Sequence, residues 1–188
     1  MKQNQIYKFI NLISKSLVYG NEMNVRTLRR SDKPHIFELG GKIFREKDEI
    51  PLLQNALRCC IPSLSFVAVE HEKIIGFALV GQKWTKEYYP FMKTIPDCYE
   101  LAFLGISPYC QGRGIGTRLL KETLHAIFQR STHFTCWLLV DTSNVGAIKM
   151  YQKWGFRYWK ETETEERGWI MGLSWRRYTA PPVPTLTG

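Results

Sequence analysis

The sequence predicts a mixed α/β domain, one sheet flanked by helices, and three observations predict it. Short β-branched, apolar runs alternate with segments of helical periodicity from residue 24 to about residue 175. A glycine-dense turn, Gly105-Ile106-Ser107-Pro108-Tyr109-Cys110-Gln111-Gly112-Arg113-Gly114-Ile115-Gly116-Thr117-Arg118, joins the end of an apolar strand to the start of an amphipathic helix. Phe134 to Val140 is a continuous apolar run of the kind buried on both faces of a sheet. With 188 residues and 44% hydrophobic content, the chain suits one domain with a substantial core.

Residues 1–22 carry Ile6, Phe9, Ile10, Ile13 and Leu17 at helical spacing and read as an N-terminal amphipathic extension. Asn11, Ser14, Lys15 and Ser16 interrupt the apolar run that a signal peptide needs, and no stretch reaches the length of a membrane span. The domain proper is expected over 23–178. Val25, Thr27 and Leu28 begin it as a strand; Ser31 or Asp32 then caps a helix with Pro34 in its first turn and Ile36, Phe37, Leu39 and Ile43 on its stripe. That helix breaks near Glu46 to Pro51, and a second carries Leu52, Leu53, Ala56 and Leu57. Strands 66–70 and 74–80 follow, joined by a tight turn at His71-Glu72-Lys73. The connection from Gln82 to Pro96, with Trp84, Tyr88, Tyr89 and Phe91, has the length of a binding loop, although its aromatic residues could also pack down. Cys98 to Ile106 is a buried type of strand containing one carboxylate, Glu100. After the glycine turn, Leu120, Leu124, Ile127 and Phe128 stripe a helix ending near Arg130. Beyond the apolar strand, Asp141 to Asn144 cap a short helix with Ala147, Ile148 and Tyr151, which Gly155 stops. Phe156 to Glu161 and Trp169 to Trp175 form a last strand pair around an acidic turn, and residues 179–188 read as a flexible tail.

The glycine turn reads as a phosphate cradle. Glycines let the backbone approach an anion closely, and the first amides of a helix lack internal partners and carry the positive end of its dipole. Two common phosphate motifs fail here: a dinucleotide fingerprint would need glycine where Thr117 stands, and a P-loop would need Gly-Lys-Ser/Thr where Gly116-Thr117-Arg118 stands. The net charge of +9 suits a polyanionic ligand, an acidic partner or nonspecific nucleic acid. Five cysteines with no CxxC pair argue against a disulfide framework and against zinc, so a reducing cytoplasm is the default. The four histidines lack ligand spacing, and no metal is expected.

Read as Gln-x-x-Gly-x-Gly, Gln111, Gly114 and Gly116 resemble the acetyl-coenzyme A signature of the GNAT N-acetyltransferase superfamily. A second signature joins it one helix and one strand later: Asn144-x-x-Ala147-x-x-x-Tyr151-x-x-x-Gly155-Phe156 resembles the family's C-terminal motif. The likeness covers about residues 24–175. It implies a GNAT fold whose central sheet splays between the strands at 98–106 and 134–140, with acetyl-CoA as cosubstrate and its pantetheine arm in the gap. It places backbone groups of Leu104, Gly105 and Ile106 along the pantetheine and the amides of Gln111, Gly112, Arg113, Gly114, Ile115, Gly116 and Thr117 around the pyrophosphate. Asn144 and Ala147 would line the cofactor, and Tyr151 would face its sulfur. Many members carry a carboxylate where Ala102 stands here; Glu100 matches instead the strand position used as a base in the histone-type branch.

Amide formation from a thioester needs a neutral amine, a proton acceptor, a polarised carbonyl and a proton for the thiolate. A lysine amine with pKa ~10.4 is only about 0.04% neutral at pH 7, against roughly 10–15% for an α-amine near 7.8. Glu100, directly or through water, is the candidate base, and Tyr151 the candidate acid. No serine or cysteine stands beside a clear base, so direct transfer is expected rather than a covalent enzyme intermediate. The segment from Trp137 to Phe156 resembles the ribosomal-protein and protein N-terminal acetyltransferases, which leaves protein N-termini, lysines and small-molecule amines all open as acceptors. The acidic turn Glu161 to Glu166 could attract a cationic acceptor or be a solvated hairpin tip. The alternative function is a noncatalytic acyl-CoA-binding or nucleic-acid-associated module. A monomer or homodimer without specific nucleic acid is expected.

Overall fold

Seven strands pair into one sheet in the order β1-β2-β3-β4-β5-β7-β6 in the computed structural model, which describes residues 23–44, 49–82, 98–130, 133–161 and 168–176. The strands are β1 (Asn24–Thr27), β2 (Phe66–Glu70), β3 (Lys73–Gly81), β4 (Cys98–Ile106), β5 (His133–Asp141), β6 (Arg157–Glu161) and β7 (Gly168–Arg176). Four helices are described: α1 (Lys33–Ile43), α2 (Glu49–Cys59), α3 (Ile115–Arg130) and α4 (Val145–Lys153). The element order is the one expected. The extension at 1–22, residues 83–96 of the aromatic connection, residues 162–166 of the acidic turn and the tail at 179–188 lie outside the described residues.

Strands β1 to β4 pair antiparallel with one another, and their alternating side chains feed two cores. On one face Val67, Phe77 and Leu79 pack with Ile36 of α1 and Leu53, Ala56 and Leu57 of α2. On the other, Phe66, Ala68, Ala78, Val80, Tyr99 and Leu101 pack with Leu119, Leu120, Leu124 and Ile127 of α3 and with Ile148 and Tyr151 of α4. The hairpin between β2 and β3 turns on His71 (φ 47°) and Glu72 (φ 65°) without glycine. Two successive left-handed residues match the twist of a tight hairpin.

Three local readings change. Asp32 does not cap α1 with its side chain: its carboxylate accepts the Arg29 amide at 2.7 Å and both guanidinium nitrogens of Arg26, closing a 3-10 turn ahead of the helix. A charge-assisted fork outcompetes a neutral amide, and Arg26 thereby holds the Asp32 carboxyl below its ordinary range. Pro51 lies inside the first turn of α2, not in the break before it, because a residue without an N–H is tolerated where the amide has no helical partner. In β5 the expected two-sided burial holds at Cys136, Trp137 and Leu138 but fails at Leu139, which is 46% exposed. That residue lies beyond the point where β4 leaves its flank.

Candidate active site

The parting of β4 from β5 makes the site. These two strands run parallel and register at only three pairs, Cys98–Thr135, Tyr99–Cys136 and Glu100–Trp137. Beyond them β4 stays with β3 as far as Gly76–Ile106, while Leu138 to Asp141 stay with β7. Two rows of main-chain N–H and C=O groups therefore face each other across a slot that begins at Glu100. The backbone of Leu104, Gly105 and Ile106 lies on one wall. Gly105 is glycine for a packing reason, since a Cβ there would meet the Phe77 ring at 2.8 Å.

A bulge in β4 sets which side chains face which way. Leu79 pairs with Phe103 and Val80 with Leu101, so Ala102 is the extra residue. Tyr99 and Leu101 face the α3 core, and Glu100 faces the opposite side, toward α2. There Glu100, only 4% exposed, lines a cavity of ≈ 10 Å³ with Ala56, Cys59, Cys60, Leu79, Val80, Gly81 and Ala102.

The open end of the slot is governed by α3. Gly112 and Gly114 adopt φ of 75° and 74°, and a Cβ on either would meet nothing within 4 Å among the described residues. The left-handed backbone is what glycine supplies here. Arg118 is the first residue of the helix whose amide reaches a main-chain carbonyl, that of Gly114 at 3.0 Å, so the amides of Ile115 to Thr117 point out of the helix end. Gly116 brings this first turn close to β4 and α4: a Cβ there would lie 3.6 Å from Met150 Sδ and 3.7 Å from Ile106 Cγ1. Gln111 is exposed beside it. The Arg113 side chain pairs with Glu70, its two terminal nitrogens 3.1 and 2.5 Å from the carboxylate, and Glu70 is held below its usual range by that pairing.

Helix α4 starts at Asn144, whose Oδ1 accepts the Ala147 amide at 3.1 Å. Gly155, at φ 96°, ends it as expected. Tyr151 is 7% exposed, packed in the α3 core with its ring 5.7 Å from that of Phe156. Burial pushes its phenol well above the ordinary range, with Cys136 adding to the effect, so the hydroxyl keeps its proton at physiological pH. Burial likewise raises the Cys136 thiol, and Glu100 contributes to that rise. Cys136 thus lies within electrostatic reach of both candidate catalytic groups at the apex of the slot, Glu100 on one face of the sheet and Tyr151 on the other. An acid that stays protonated and a carboxylate on opposite faces of the sheet are two groups of the kinds that proton delivery and proton removal need.

Of the expected residues, Leu104, Ile106, Ala147 and Tyr151 share one core cluster, and Gly116 lies near Ile106 and Met150; Glu100 faces the other side of the sheet. Sequence reasoning missed the cavity walls at Cys59, Cys60 and Gly81, and the tie between Arg113 and Glu70. Neither carries a local signal, because both depend on strand register across the sheet.

The model of the acetyltransferase (GNAT) family matches residues 27–156. The mycothiol acetyltransferase of Mycobacterium sp. (strain JLS) is 36% identical over 81 residues, covering 42% of this chain and 25% of that protein. The chain thus spans about a quarter of the length of this relative. The N-alpha-acetyltransferase RimI of Mycobacterium tuberculosis is 29% identical over 136 residues, 72% of this chain and 78% of that protein. Among solved structures, Arabidopsis thaliana Naa50 in complex with the bisubstrate analogue CoA-Ac-MVNAL superposes with a TM-score of 0.66 at 18% identity, covering 82% of this chain and 100% of that one. At that identity the likeness is one of fold.

Proposed function

The chain belongs to the acetyltransferase (GNAT) family, and from that premise we propose that it transfers the acetyl group of acetyl-CoA to a primary amine by direct attack in a ternary complex. The observation that carries this reading is the end of β4–β5 pairing at Glu100–Trp137, which opens a slot leading to the uncapped amides of α3. Acetyl-CoA supplies the activated acyl group. Its pyrophosphate meets the amides from Gln111 to Thr117, and the net charge of +9 favours a polyanion. The main chain of Leu104, Gly105 and Ile106 offers partners to the amide-bearing pantetheine arm, with Asn144 and Ala147 at the start of α4 as further contacts.

In the transfer the amine nitrogen attacks the thioester carbonyl, the new C–N bond forms and the C–S bond breaks. Glu100 accepts the proton that the amine sheds, directly or through the single water for which its cavity has room. Tyr151, still protonated, returns a proton to the leaving thiolate. Unpaired strand amides beside the slot polarise the carbonyl oxygen. All five cysteines are free, which suits a reducing, cytoplasmic setting, and no helix among the described residues is long and apolar enough to cross a membrane. No observation favours the noncatalytic alternative.

The test is acetyl transfer by Glu100→Gln against the unsubstituted protein across pH, with one alkylamine acceptor. The fraction of free amine with pKa ~10.4 rises about tenfold per pH unit below that value, so the defect should shrink as pH rises. A Glu100→Gln protein with unaltered rates at neutral pH would remove Glu100 from the role of base.

A further inference from the structure

We propose that Glu70 is a positioning residue for the phosphate cradle: by holding the Arg113 guanidinium in a two-pronged ion pair, it fixes the Gly112-Arg113-Gly114 turn in the shape that receives acetyl-CoA. This rests on the cofactor reading above and adds to it a residue of the β2–β3 hairpin, which acts on the cofactor through Arg113.

The Gly112-Arg113-Gly114 stretch has little to hold it locally. Gly112 and Gly114 adopt φ of 75° and 74°, and glycine loses more backbone freedom on ordering than any other residue. The flanking main-chain hydrogen bonds run from the Cys110 amide to the Ser107 carbonyl and from the Arg118 amide to the Gly114 carbonyl. The side chain that ties the stretch to another element is Arg113. Its Nη1 lies 3.1 Å from Glu70 Oε2 and its Nη2 2.5 Å from Glu70 Oε1, and Cys110 is also within reach of the guanidinium. A fork onto both carboxylate oxygens fixes orientation as well as distance.

Glu70 is the fixed partner of the two. It ends β2, whose Val67 and Ala68 are fully buried, and it pairs with Lys73 across the hairpin. Its side chain is 19% exposed, against 40% for that of Arg113. The sheet holds the carboxylate, and the carboxylate holds the turn.

The pair is poorly suited to a direct ionic role toward the phosphates. An arginine matched by a carboxylate at contact distance presents little net charge further off, and the carboxylate itself repels a polyanion. If Arg113 served the phosphates by its charge, neutralising Glu70 would tighten acetyl-CoA binding. If the pair shapes the turn in advance, the same change weakens it.

The test is calorimetric titration of acetyl-CoA into the full chain and its Glu70→Gln, Arg113→Gln, Arg113→Lys and doubly substituted Glu70→Gln/Arg113→Gln forms. Glu70→Gln and Arg113→Gln should each weaken binding by about three- to tenfold, and the double form no further than the weaker single one, since one interaction is lost in all three. Arg113→Lys keeps the charge but not the fork and should weaken binding like Arg113→Gln. The KM for acetyl-CoA should rise by the same factor at unchanged kcat, and the unfolding temperature without ligand should stay nearly constant, as for an exposed pair. Tighter or unaltered binding by Glu70→Gln, full affinity in Arg113→Lys, additive single effects, or a loss of ligand-free stability at unaltered affinity overturns the proposal alone. An unsubstituted chain that is folded and does not bind acetyl-CoA overturns the cofactor reading with it. If a Glu70 form fails to fold, Arg113→Lys against Arg113→Gln still decides.

Discussion

Two helices begin at the rim of the same slot and treat their first amides in opposite ways. Helix α4 closes on itself: Asn144 Oδ1 accepts from Ala147, the Asn144 amide donates to the Asp141 carbonyl, and the Asp141 carboxylate accepts the Ser143 amide at 2.6 Å. Helix α3 is entered through Gly114, which has no side chain to cap with, and Arg118 is the first residue whose amide meets a main-chain carbonyl. The dipole is common to both. What differs is that the residues around Asn144 satisfy amides at the start of α4, whereas no described main-chain carbonyl meets those of Ile115 to Thr117 at the start of α3.

The comparison can be broken at its reactive end first. Tyr151→Phe removes a hydroxyl and leaves both helix starts alone. It should lower kcat by roughly 10²–10⁴-fold with acetyl-CoA affinity nearly unchanged. Because burial keeps the phenol protonated, the unsubstituted enzyme should also show no loss of the donor up to about pH 10. Steady-state rates with parallel cofactor titrations check both. Next in size is Gly114→Val, which puts a β-branched residue at φ 74° and fills the open space. It should abolish the acetyl-CoA thermal shift. The smallest effect belongs to α4: Asn144→Ala should cost about 1 kcal/mol of stability in urea unfolding, the value of a lost cap, with under about tenfold loss of acetyl-CoA affinity. Unchanged stability would mean that α4 does not depend on its cap.

Much of this contrast is visible in the residues themselves. Gly112, Gly114 and Gly116 before a helical stripe, and Asn144 before another, are local signals whose meaning depends on backbone geometry that a few residues dictate. The same holds for β4, found over the expected Cys98–Ile106. Pairwise consequences are not local. That β4 and β5 part after Glu100, that Ala102 is a bulge, and that Gly81 faces Glu100 all follow from register between distant segments. Asp32 reads as a cap until Arg26, on a neighbouring strand, claims its carboxylate. Leu139 reads as core until its neighbouring strand departs.

The central claim, that the uncapped end of α3 holds the phosphates of acetyl-CoA, is tested most directly by titrating acetyl-CoA against the unsubstituted protein and Gly114→Val side by side in a thermal unfolding assay. The account predicts a saturable rise for the first, worth about 2.7 kcal/mol at a hundred times the dissociation constant, and none for the second when both are folded. An equal shift in both would place the site elsewhere, and a folded protein that shows no shift at all would contradict the claim.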